Sequence, residues 1–372
     1  MLIQDYGQFY GIMFMLANCL RMHALMQCSV ITASVPFSPI FITGFPRSGT
    51  TLVAAILDRH SSIAIPPETH FFEAMKLVDG EPSRSSSTTL VEYLLNTPRM
   101  RDLGLHPTDV YPFLTQRPFL PRDVFQAVLT AYRHRRGKPL IGEKTPGHLM
   151  HATQLLTWYP RSKMIFVLRD GRDAVASILN VAWRGHGIAR LHAVTWRRYI
   201  QFAERMRRDF PDRFLFVKYE DILLHPEEQV SRLDNFCNVL FEPAQVDASI
   251  VTHVVPQWEN AWKSLAAHPF DLSRVGRWRT EFSQDDQWAL NHTMAPYLQQ
   301  FGYDDHTLSN CPITRRLRLA ATGLLLRTGE TRRIYQAFCN WSGRQPHQTH
   351  NPPANATAVA RGDESDLITK HL

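Results

Sequence analysis

Short apolar runs alternate with amphipathic stretches along the middle of the chain. The runs are residues 39–43 and the stretches KMIFVLRD and RFLFVKYEDI, each of strand length. The amphipathic segments that follow them are residues 50–59, a segment from about Asp173 to Trp183, and one from Pro226 onward. Buried strands that alternate with amphipathic helices are typical of a parallel sheet covered on both faces. The pattern therefore predicts an α/β protein with three layers, α/β/α, around a central parallel sheet.

Some helix faces and starts can be predicted more closely. The first helix has one apolar face, made of Leu52, Val53, Ile56 and Leu57. The helix from Pro226 is expected to bury Val230, Leu233, Phe236, Cys237 and Leu240. Thr145 and Pro146 form a favourable N-cap and first helical position. The stretch IAIPPETHFFEAM predicts a short strand, a turn and a helix that begins near Glu68.

Composition divides the chain into a central domain and less regular flanks. Residues 38–305 carry the α/β pattern, and residues 81–137 interrupt it with Ser- and Pro-containing helical segments that are expected to be an insertion. Residues 1–37 form an N-terminal extension whose apolar run is shorter than a membrane span. Residues 306–341 are a basic helical segment, and residues 342–372 are a polar, Pro-rich tail predicted to be disordered.

The formal net charge of +7 favours anionic partners. The arginines are scattered and no helix-turn-helix or zinc-finger spacing occurs, so nucleic acid is not the expected partner. The five cysteines are odd in number and include no C-x-x-C pair, which argues against a zinc site and a disulfide framework. This cysteine usage favours a reducing compartment, so we expect a cytoplasmic location, with the Golgi membrane as the alternative for an animal or plant protein.

The stretch GFPRSGTT joins the first predicted strand to the first predicted helix. Gly44 and Gly49 have the spacing of a nucleotide-binding loop, but Thr50 occupies the position of the usual lysine. Backbone N–H groups at a helix start bind anions, and Arg47 and Thr51 add a charge and a hydroxyl. A sulfuryl group carries one negative charge fewer than a phosphoryl group. The loop therefore favours sulfuryl transfer without a metal ion.

Four motifs then point to one family. The stretches PRSGTTLVAAILDRH, EKTP, VLRDGRDAVAS and VKYEDILLHP resemble, in order, the motif series of sulfotransferases that use 3′-phosphoadenosine 5′-phosphosulfate. The resemblance covers residues 39–305 and is closest to the tyrosylprotein-sulfotransferase-like and bacterial branch. It implies a P-loop-like fold and in-line transfer of a sulfuryl group to a hydroxyl acceptor. It also implies that the donor nucleotide is a co-substrate and that no metal is needed.

The resemblance carries a set of donor-binding residues over to this chain. The residues expected to hold the 5′-phosphosulfate are Arg47, Ser48, Gly49, Thr50 and Thr51. Those expected at the 3′-phosphate are Arg169 and, eight residues on, Ser177. Tyr219 is expected beside the nucleotide, and Arg277 lies in a segment, SRVGRWR, that resembles the loop closing over it. The branch often has another arginine where this chain has Val181, so Arg184 is a candidate replacement.

The expected catalytic residues are Glu68, Lys144 and Arg47. Glu68 lies 21 residues after Arg47, the spacing that the resemblance implies for a base that takes the acceptor proton. Lys144 and Arg47 are expected to stabilise charge on the leaving phosphate. His70 is the first alternative base, and Glu73 and Glu143 are weaker ones. Structural alternatives are also open: Glu68 could favour the first turn of its helix, and Lys144 could be a surface lysine.

The stretch RDGRD could similarly be a surface ion-pair turn.

Two other functions are possible, an ATP-dependent kinase of the phosphate-loop class and a non-catalytic nucleotide-binding module. The acceptor is left open among a protein tyrosine, a glycan, a lipid and a small molecule, and residues 81–137 are expected to shape its site. Formation of a homodimer is also open, and association with a membrane is open but not favoured.

Overall fold

The computed structural model describes residues 37–78, 87–114, 120–180, 189–247, 254–256 and 270–303. Its five strands form a sheet in the order β2-β3-β1-β4-β5. The strands are β1 Ile40–Gly44, β2 Ile63–Ala64, β3 Leu140–Lys144, β4 Lys163–Leu168 and β5 Phe214–Lys218. All neighbouring strands are parallel. The predicted α/β class with a central parallel sheet is therefore confirmed.

Helices connect the strands and flank the sheet. They are α1 Thr50–Arg59, α2 Phe71–Val78, α3 Ser87–Leu95, α4 Pro98–Arg101, α5 Pro107–Val110, α6 Pro121–Arg136, α7 Ala152–Trp158, α8 Gly171–Leu179, α9 Ala189–Asp209, α10 Tyr219–Leu224, α11 Pro226–Cys237, α12 Trp278–Glu281 and α13 Gln284–Gln300. Short 3₁₀ turns occur at Tyr111–Phe113, Pro146–His151, Pro243–Gln245 and Leu272–Arg274.

Both faces of the sheet are buried, as the strand pattern predicts. Successive side chains of a strand point to opposite faces, so neighbours in sequence enter different layers. On β1, Phe41 belongs to one apolar cluster and Ile42 to the other, and both are fully buried. On β4, Phe166 and Ile165 divide in the same way. Each fully buried side chain of this size contributes about 1.5–3 kcal/mol of hydrophobic stabilisation.

Three element boundaries differ from the sequence predictions. Helix α2 begins at Phe71, so Glu68 lies in the preceding loop. Helix α8 begins at Gly171 because the Asp170 side chain caps it by accepting from the Arg172 N–H at 2.9 Å. Helix α11 ends at Cys237, where Asn238 takes a left-handed φ of 62°. The prediction that Leu240 is buried on this helix was therefore wrong, and its side chain is 85% exposed.

The helices α3 to α6 fall within the segment predicted as an insertion. Phe125 of α6 stacks on Phe71 of α2 at 4.3 Å and on Phe41 of β1 at 6.5 Å. These helices therefore pack onto one face of the sheet. The proposed division into domains stays a prediction. The N-terminal extension up to residue 36, the basic segment and the tail lie outside the described residues.

Within the part of the chain that the structure describes, no helix is both long enough and apolar enough to cross a bilayer.

Candidate functional site

The predicted site residues gather at the carboxyl edge of the sheet, between β1 and β4. The connection that leaves β1 leads to β2 on one side, and the connection that leaves β4 leads to β5 on the other. Where neighbouring strands send their connections in opposite directions, an open crevice forms, and α/β sheets bind ligands there. The loop that follows β1 and Arg169, which follows β4, both lie at this crevice.

The loop between β1 and α1 is held in an unusual backbone conformation. Arg47 has a φ of 70° and Gly49 a φ of 94°. The Ser48 N–H donates to the Phe45 carbonyl at 3.0 Å, which closes the turn. A Cβ atom on Gly49 would lie 2.3 Å from Cδ2 of Tyr219. The residue at position 49 must therefore be glycine for two reasons, its φ and the Tyr219 ring that packs against it.

The start of α1 has the properties of an anion-binding loop. The first N–H groups of a helix have no partner inside the helix, and the helix dipole makes this end positive. The first turn, which includes Thr50 and Thr51, contains no acidic residue, and no side chain caps it. The buried Ser48 hydroxyl has no hydrogen-bond partner among the described residues. This combination suits an anionic ligand that supplies the missing acceptors.

Arg169 connects the loop to the segment that covers it. Its Nη1 donates to the Arg47 carbonyl at 3.0 Å, and its Nη2 donates to the Arg274 carbonyl at 2.9 Å. Its guanidinium lies 4.6 Å from the centre of the Tyr219 ring. Carbonyl partners do not neutralise the charge. The buried Nε has no hydrogen-bond partner in the described ranges. Arg169 therefore keeps a positive charge and one unused donor at the crevice.

Arg47 and Ser177 are in direct contact. The Nε of Arg47 donates to the Ser177 hydroxyl at 3.2 Å. From the sequence, these two residues are expected at opposite ends of a nucleotide. The contact shows that the Arg47 side chain reaches α8 across the crevice.

Tyr219 forms one wall of the crevice. It begins α10 directly after β5, and its ring lies between Gly49 and Arg169. Burial raises the pKa of its hydroxyl above the ordinary value, against the smaller opposing effect of Arg169 and Arg274. The ring is therefore neutral at physiological pH and acts as a packing surface.

Lys144 brings a second positive charge to the loop, beside that of Arg47. It is the last residue of β3, the neighbour of β1, and its side chain is fully buried. Its Nζ lies 3.5 Å from the Thr51 hydroxyl and 2.5 Å from Oε1 of Glu68. The alternative that Lys144 is an exposed surface lysine was wrong.

Glu68 lies between two nitrogen groups. Its Oε1 accepts from Lys144, and its Oε2 is 2.9 Å from Nε2 of His70. Its side chain is 11% exposed, so it is not fully closed off from solvent. Because α2 starts at Phe71, Glu68 is outside the first helical turn. The structural alternative based on the helix dipole therefore does not apply.

Glu143, a weaker candidate for the base, is committed to internal partners. It is fully buried, and its oxygens are bonded to Thr69, Thr145 and His148 at 2.8, 2.6 and 2.8 Å. Burial would raise the pKa of Glu143, but the His148 charge and the hydroxyl donors hold it below the ordinary value. Sequence reasoning missed His148, although its position three residues after Thr145 was a usable signal. The other weak candidate, Glu73, has a buried Oε2 with no hydrogen-bond partner in the described segments.

The stretch RDGRD is a buried clamp rather than a surface turn. Arg172 donates from Nε and Nη2 to the Asp170 carboxylate at 2.9 and 2.6 Å, and from Nη2 to the Tyr303 carbonyl at 2.6 Å. Asp173 accepts from the N–H groups of Gly276 and Trp278 at 2.7 and 3.0 Å. Burial raises the pKa of Asp173. The clamp attaches residues 270–303 to the carboxyl edge of the sheet.

Arg277 lies in this attached segment and pairs with Glu281. The hydrogen bond between this segment and Arg169 is accepted by the Arg274 carbonyl and does not involve Arg277. A phosphate-binding role for Arg277 stays a prediction. Val181 and Arg184 lie outside the described residues. Across the described part of the chain, no cluster of three or more His, Cys, Asp or Glu side chains has an arrangement that could hold a metal ion.

Comparison with known proteins identifies sequence relatives. A family model described as "Sulfotransferase family" matches residues 39–243. Protein-tyrosine sulfotransferase 1 of Danio rerio is 27% identical over 282 residues, which cover 72% of each chain. The protein-tyrosine sulfotransferase of Drosophila melanogaster is 28% identical over 276 residues, which cover 72% of this chain and 52% of that protein.

Solved structures share the fold. The sulfotransferase domain from the curacin biosynthetic pathway has a TM-score of 0.54 at 21% identity and covers 72% of this chain and 98% of that one. The sulfotransferase domain from the Synechococcus PCC 7002 olefin synthase has a TM-score of 0.51 at 22% identity and covers 73% and 96%. At these identities, the likeness concerns the fold alone.

Proposed function

Because the chain belongs to the sulfotransferase family, we propose that it transfers the sulfuryl group of 3′-phosphoadenosine 5′-phosphosulfate to a hydroxyl acceptor, with Glu68 as the base. The observation that carries the proposal is the position of Lys144. Its Nζ contacts both the anion-binding loop, at Thr51, and the carboxylate of Glu68. A donor phosphate held by the loop and a base are thereby brought to opposite sides of one buried positive charge.

The residues around the crevice suit the donor nucleotide. The backbone N–H groups at the start of α1, with Arg47, Ser48, Gly49, Thr50 and Thr51, would hold the 5′-phosphosulfate. Arg169 and Ser177 would hold the 3′-phosphate, with Tyr219 against the nucleoside and Arg277 in the covering segment. The buried Ser48 hydroxyl and the Arg169 Nε support this assignment, since neither has a hydrogen-bond partner among the described residues. Binding would also require Arg47 to release Ser177.

The reaction follows from these positions. The acceptor oxygen forms a bond to sulfur while Glu68 takes the hydroxyl proton. The bond between sulfur and the bridging oxygen breaks, and its electron pair goes to the 5′-phosphate of adenosine 3′,5′-bisphosphate. Lys144 and Arg47 stabilise the negative charge that develops on this phosphate. His70 keeps Glu68 oriented and is the alternative base.

A phosphate-loop kinase is disfavoured by two features of this chain. Thr50 occupies the position of the kinase-type lysine, and Lys144 reaches the loop from a different strand. The Asp170 carboxylate, which follows β4 where such enzymes position magnesium, is held bidentately by Arg172. A non-catalytic module is disfavoured because it has no use for a carboxylate beside Lys144.

The acceptor is a hydroxyl compound. The similarity of this chain to protein-tyrosine sulfotransferases favours a protein tyrosine over a glycan, a lipid or a small molecule. The helices α3 to α6 are the proposed acceptor side. For the compartment we retain the cytoplasm, on the cysteine usage, with the Golgi membrane as the alternative.

A radiolabel experiment tests the proposal. The full chain is incubated with the ³⁵S-labelled donor nucleotide and a panel of acceptors that includes tyrosine peptides, oligosaccharides and simple phenols. We expect label to move to at least one hydroxyl acceptor without added magnesium, and adenosine 3′,5′-bisphosphate to inhibit the reaction. Transfer of ³²P from γ-labelled ATP, with no transfer of sulfur, would contradict the proposal and indicate a kinase.

A further inference from the structure

A buried network of polar groups lies behind Glu68 and takes no direct part in the proposed reaction. At its centre are Glu143 and His148, which are both fully buried and pair at 2.8 Å. Burial alone would lower the pKa of His148, but the charges of Glu143 and of the nearby Glu73 and Glu68 raise it above the ordinary value. Both pKa shifts favour the charged forms of the pair, and a buried ion pair is costly to desolvate unless its carboxylate and ring make further hydrogen bonds. Nε2 of His148 has no hydrogen-bond partner among the described residues, so the further bonds are those of Glu143.

Two threonines connect this pair to the loop that carries Glu68. Oε1 of Glu143 accepts from the hydroxyl of Thr69 at 2.8 Å and from the hydroxyl of Thr145 at 2.6 Å. The Thr145 oxygen in turn accepts from the His70 N–H at 3.3 Å. Thr69, which follows Glu68 in sequence, is thus bonded directly to the buried carboxylate of Glu143. His70, which contacts Glu68, is linked to the same carboxylate through the Thr145 hydroxyl.

The network also explains a strained backbone. His70 has a φ of 46°, which is uncommon for a residue other than glycine. Such conformations persist only when the surrounding structure holds them. Here the bond from the His70 N–H to Thr145 and the Thr69 hydroxyl bond to Glu143 fix the chain where it enters His70, and the first turn of α2 fixes it beyond, through the Ala74 N–H bond to the His70 carbonyl. This conformation directs the His70 ring back onto Glu68, where the Nε2 atom lies 2.9 Å from Oε2.

We propose that Glu143, supported by His148, is the positioning residue of the site: through Thr69 and Thr145 it sets where Glu68 stands relative to Lys144. This inference rests on the proposed function. The base must lie within hydrogen-bond reach of the acceptor proton, and a displacement of about 1 Å can lower the rate about 10²-fold. A loop without such bonds would not hold Glu68 to within about 1 Å, whereas bonds to the buried Glu143 carboxylate, which has three partners, restrict its position.

The test compares hydroxyl-deleting and hydroxyl-keeping variants. Thr145→Val keeps the shape of the side chain and removes the link, while Thr145→Ser keeps the hydroxyl. We expect Thr145→Val to lower kcat roughly 10- to 100-fold with the KM for the donor unchanged, and Thr145→Ser to stay close to wild type. Glu143→Gln and Thr69→Val should resemble Thr145→Val. Asp234→Asn is the control, because Asp234 is a buried carboxylate bonded to Gln245 at 3.0 Å, away from the site.

Crystal structures of wild type and Thr145→Val give a readout that does not depend on activity. We expect Glu68 to leave Lys144 in the valine variant and to keep its contact in the serine variant. If Glu68 keeps its contact with Lys144 in Thr145→Val, the positioning role is contradicted. It is also contradicted if Thr145→Ser and Asp234→Asn lower kcat as much as Thr145→Val does. Absence of sulfuryl transfer by wild type would contradict the proposed function, while the displacement of Glu68 would still decide the positioning role. If Thr145→Val does not fold, Thr69→Val takes its place in both measurements.

Discussion

At the scale of single residues, the loop lacks the lysine of a usual nucleotide-binding loop, and Lys144 at the end of β3 reaches the loop instead. The loop has Thr50 where a nucleotide loop usually has lysine, yet Lys144 brings an ammonium group within 3.5 Å of the loop at Thr51. It arrives there because β3 pairs with β1 in parallel, so that Lys144, the last residue of β3, is in register with Ile42 in the middle of β1. The ammonium group of Lys144 thus contacts both the loop and Glu68. This position suits the proposed reaction, in which negative charge develops on the leaving phosphate.

Replacing Glu68 by glutamine should separate catalysis from binding. The amide oxygen can still accept from Lys144, but it cannot take a proton from an acceptor. We expect kcat to fall by about 10²- to 10⁴-fold, the range for loss of a general base, with the affinity for adenosine 3′,5′-bisphosphate changed less than threefold. Steady-state kinetics and calorimetric titration measure the two quantities.

Glu73→Gln is the matched control for Glu68→Gln, because Glu73 is the nearby carboxylate that the sequence also offers as a base. Its kcat should stay within a few-fold of wild type. A large loss in Glu73→Gln with full activity in Glu68→Gln would reverse the assignment.

His151 makes the stability of the fold sensitive to mild acid. Burial lowers the pKa of His151 from 6.5 to about 4, and its ring stacks on Phe72 with centroids 3.7 Å apart. The unfolded chain therefore binds a proton here between about pH 4 and 6.5 while the folded chain does not. Stability from this group is present above pH 6.5 and is lost as the pH falls toward 4.

Chemical denaturation at several pH values tests this effect with His151→Gln, which cannot titrate. The free energy of unfolding of wild type should rise more steeply between pH 4.5 and 6.5 than that of the variant. Titrating groups that do not interact with His151 are present in both proteins and cancel in the comparison, whereas the charge of His148 adds to the lowering of the His151 pKa. Equal slopes would show that His151 keeps its ordinary pKa in the folded state.

At the scale of elements, the start of α1 and the start of α10 are locked together. Tyr219, the first residue of α10, packs on Gly49, the residue that precedes α1. Gly49→Ala should therefore destabilise the protein by more than the cost of its φ of 94° alone, and should abolish binding of adenosine 3′,5′-bisphosphate.

Gly137→Ala isolates the cost of the backbone conformation. Gly137 has a φ of 63° at the end of α6, and a Cβ atom there would meet nothing within 4 Å. Its replacement should cost about 1–2 kcal/mol, the price of a left-handed conformation for alanine. Thermal unfolding of both variants gives the comparison, and equal losses would mean that Tyr219 yields to the added methyl group.

The elements of the sheet were the most predictable part of the chain. The apolar runs predicted β1 and β4 to within one or two residues, because buried parallel strands are continuous in apolar character. The run RFLFVKYEDI contains β5 but extends four residues past its end at Lys218, because Tyr219 begins α10. The first helix was predicted with its bounds, Thr50–Arg59. Leu240 was misassigned because an apolar spacing continues past Asn238, whereas the helix stops there in a left-handed turn.

Long-range partners were the least predictable part of the site. The resemblance predicted roles for Glu68, Lys144 and Arg169, and the structure brings Glu68 to Lys144. The clamp from Arg172 to Tyr303 has no local signature. Tyr303 lies 131 residues from Arg172, so only the folded chain shows the contact.

At the scale of the whole molecule, a buried guanidinium holds the helices α12 and α13 against the sheet. Arg172 is 2% exposed, bonds to Asp170, Asn291 and Tyr303, and lies 3.9 Å from the centre of the Trp278 ring. Arg172→Ala would leave the Asp170 carboxylate buried without its charge partner. Removing one member of such a pair costs about 3–5 kcal/mol, so we expect a loss of that size in urea denaturation.

Arg207→Ala is the contrasting variant. Arg207 is 52% exposed, so its pair with the largely buried Glu204 of α9 is open to water on the arginine side. Exposed pairs contribute about 0–1 kcal/mol, so this variant should unfold close to wild type. Losses of similar size in the two variants would contradict the clamp as a major source of stability.

The central claim is that the crevice between β1 and β4 binds an adenosine nucleotide with separate 5′ and 3′ anionic groups. The direct measurement is the unfolding temperature of wild type and of Arg169→Ala with adenosine 3′,5′-bisphosphate, without magnesium, and with ATP and magnesium. At a ligand concentration about 100 times its Kd, a bound ligand stabilises the folded state by about 2.7 kcal/mol. We expect adenosine 3′,5′-bisphosphate to raise the unfolding temperature of wild type, Arg169→Ala to lose most of that rise, and ATP with magnesium to give little. Stabilisation by ATP with magnesium and none by the bisphosphate would contradict the account.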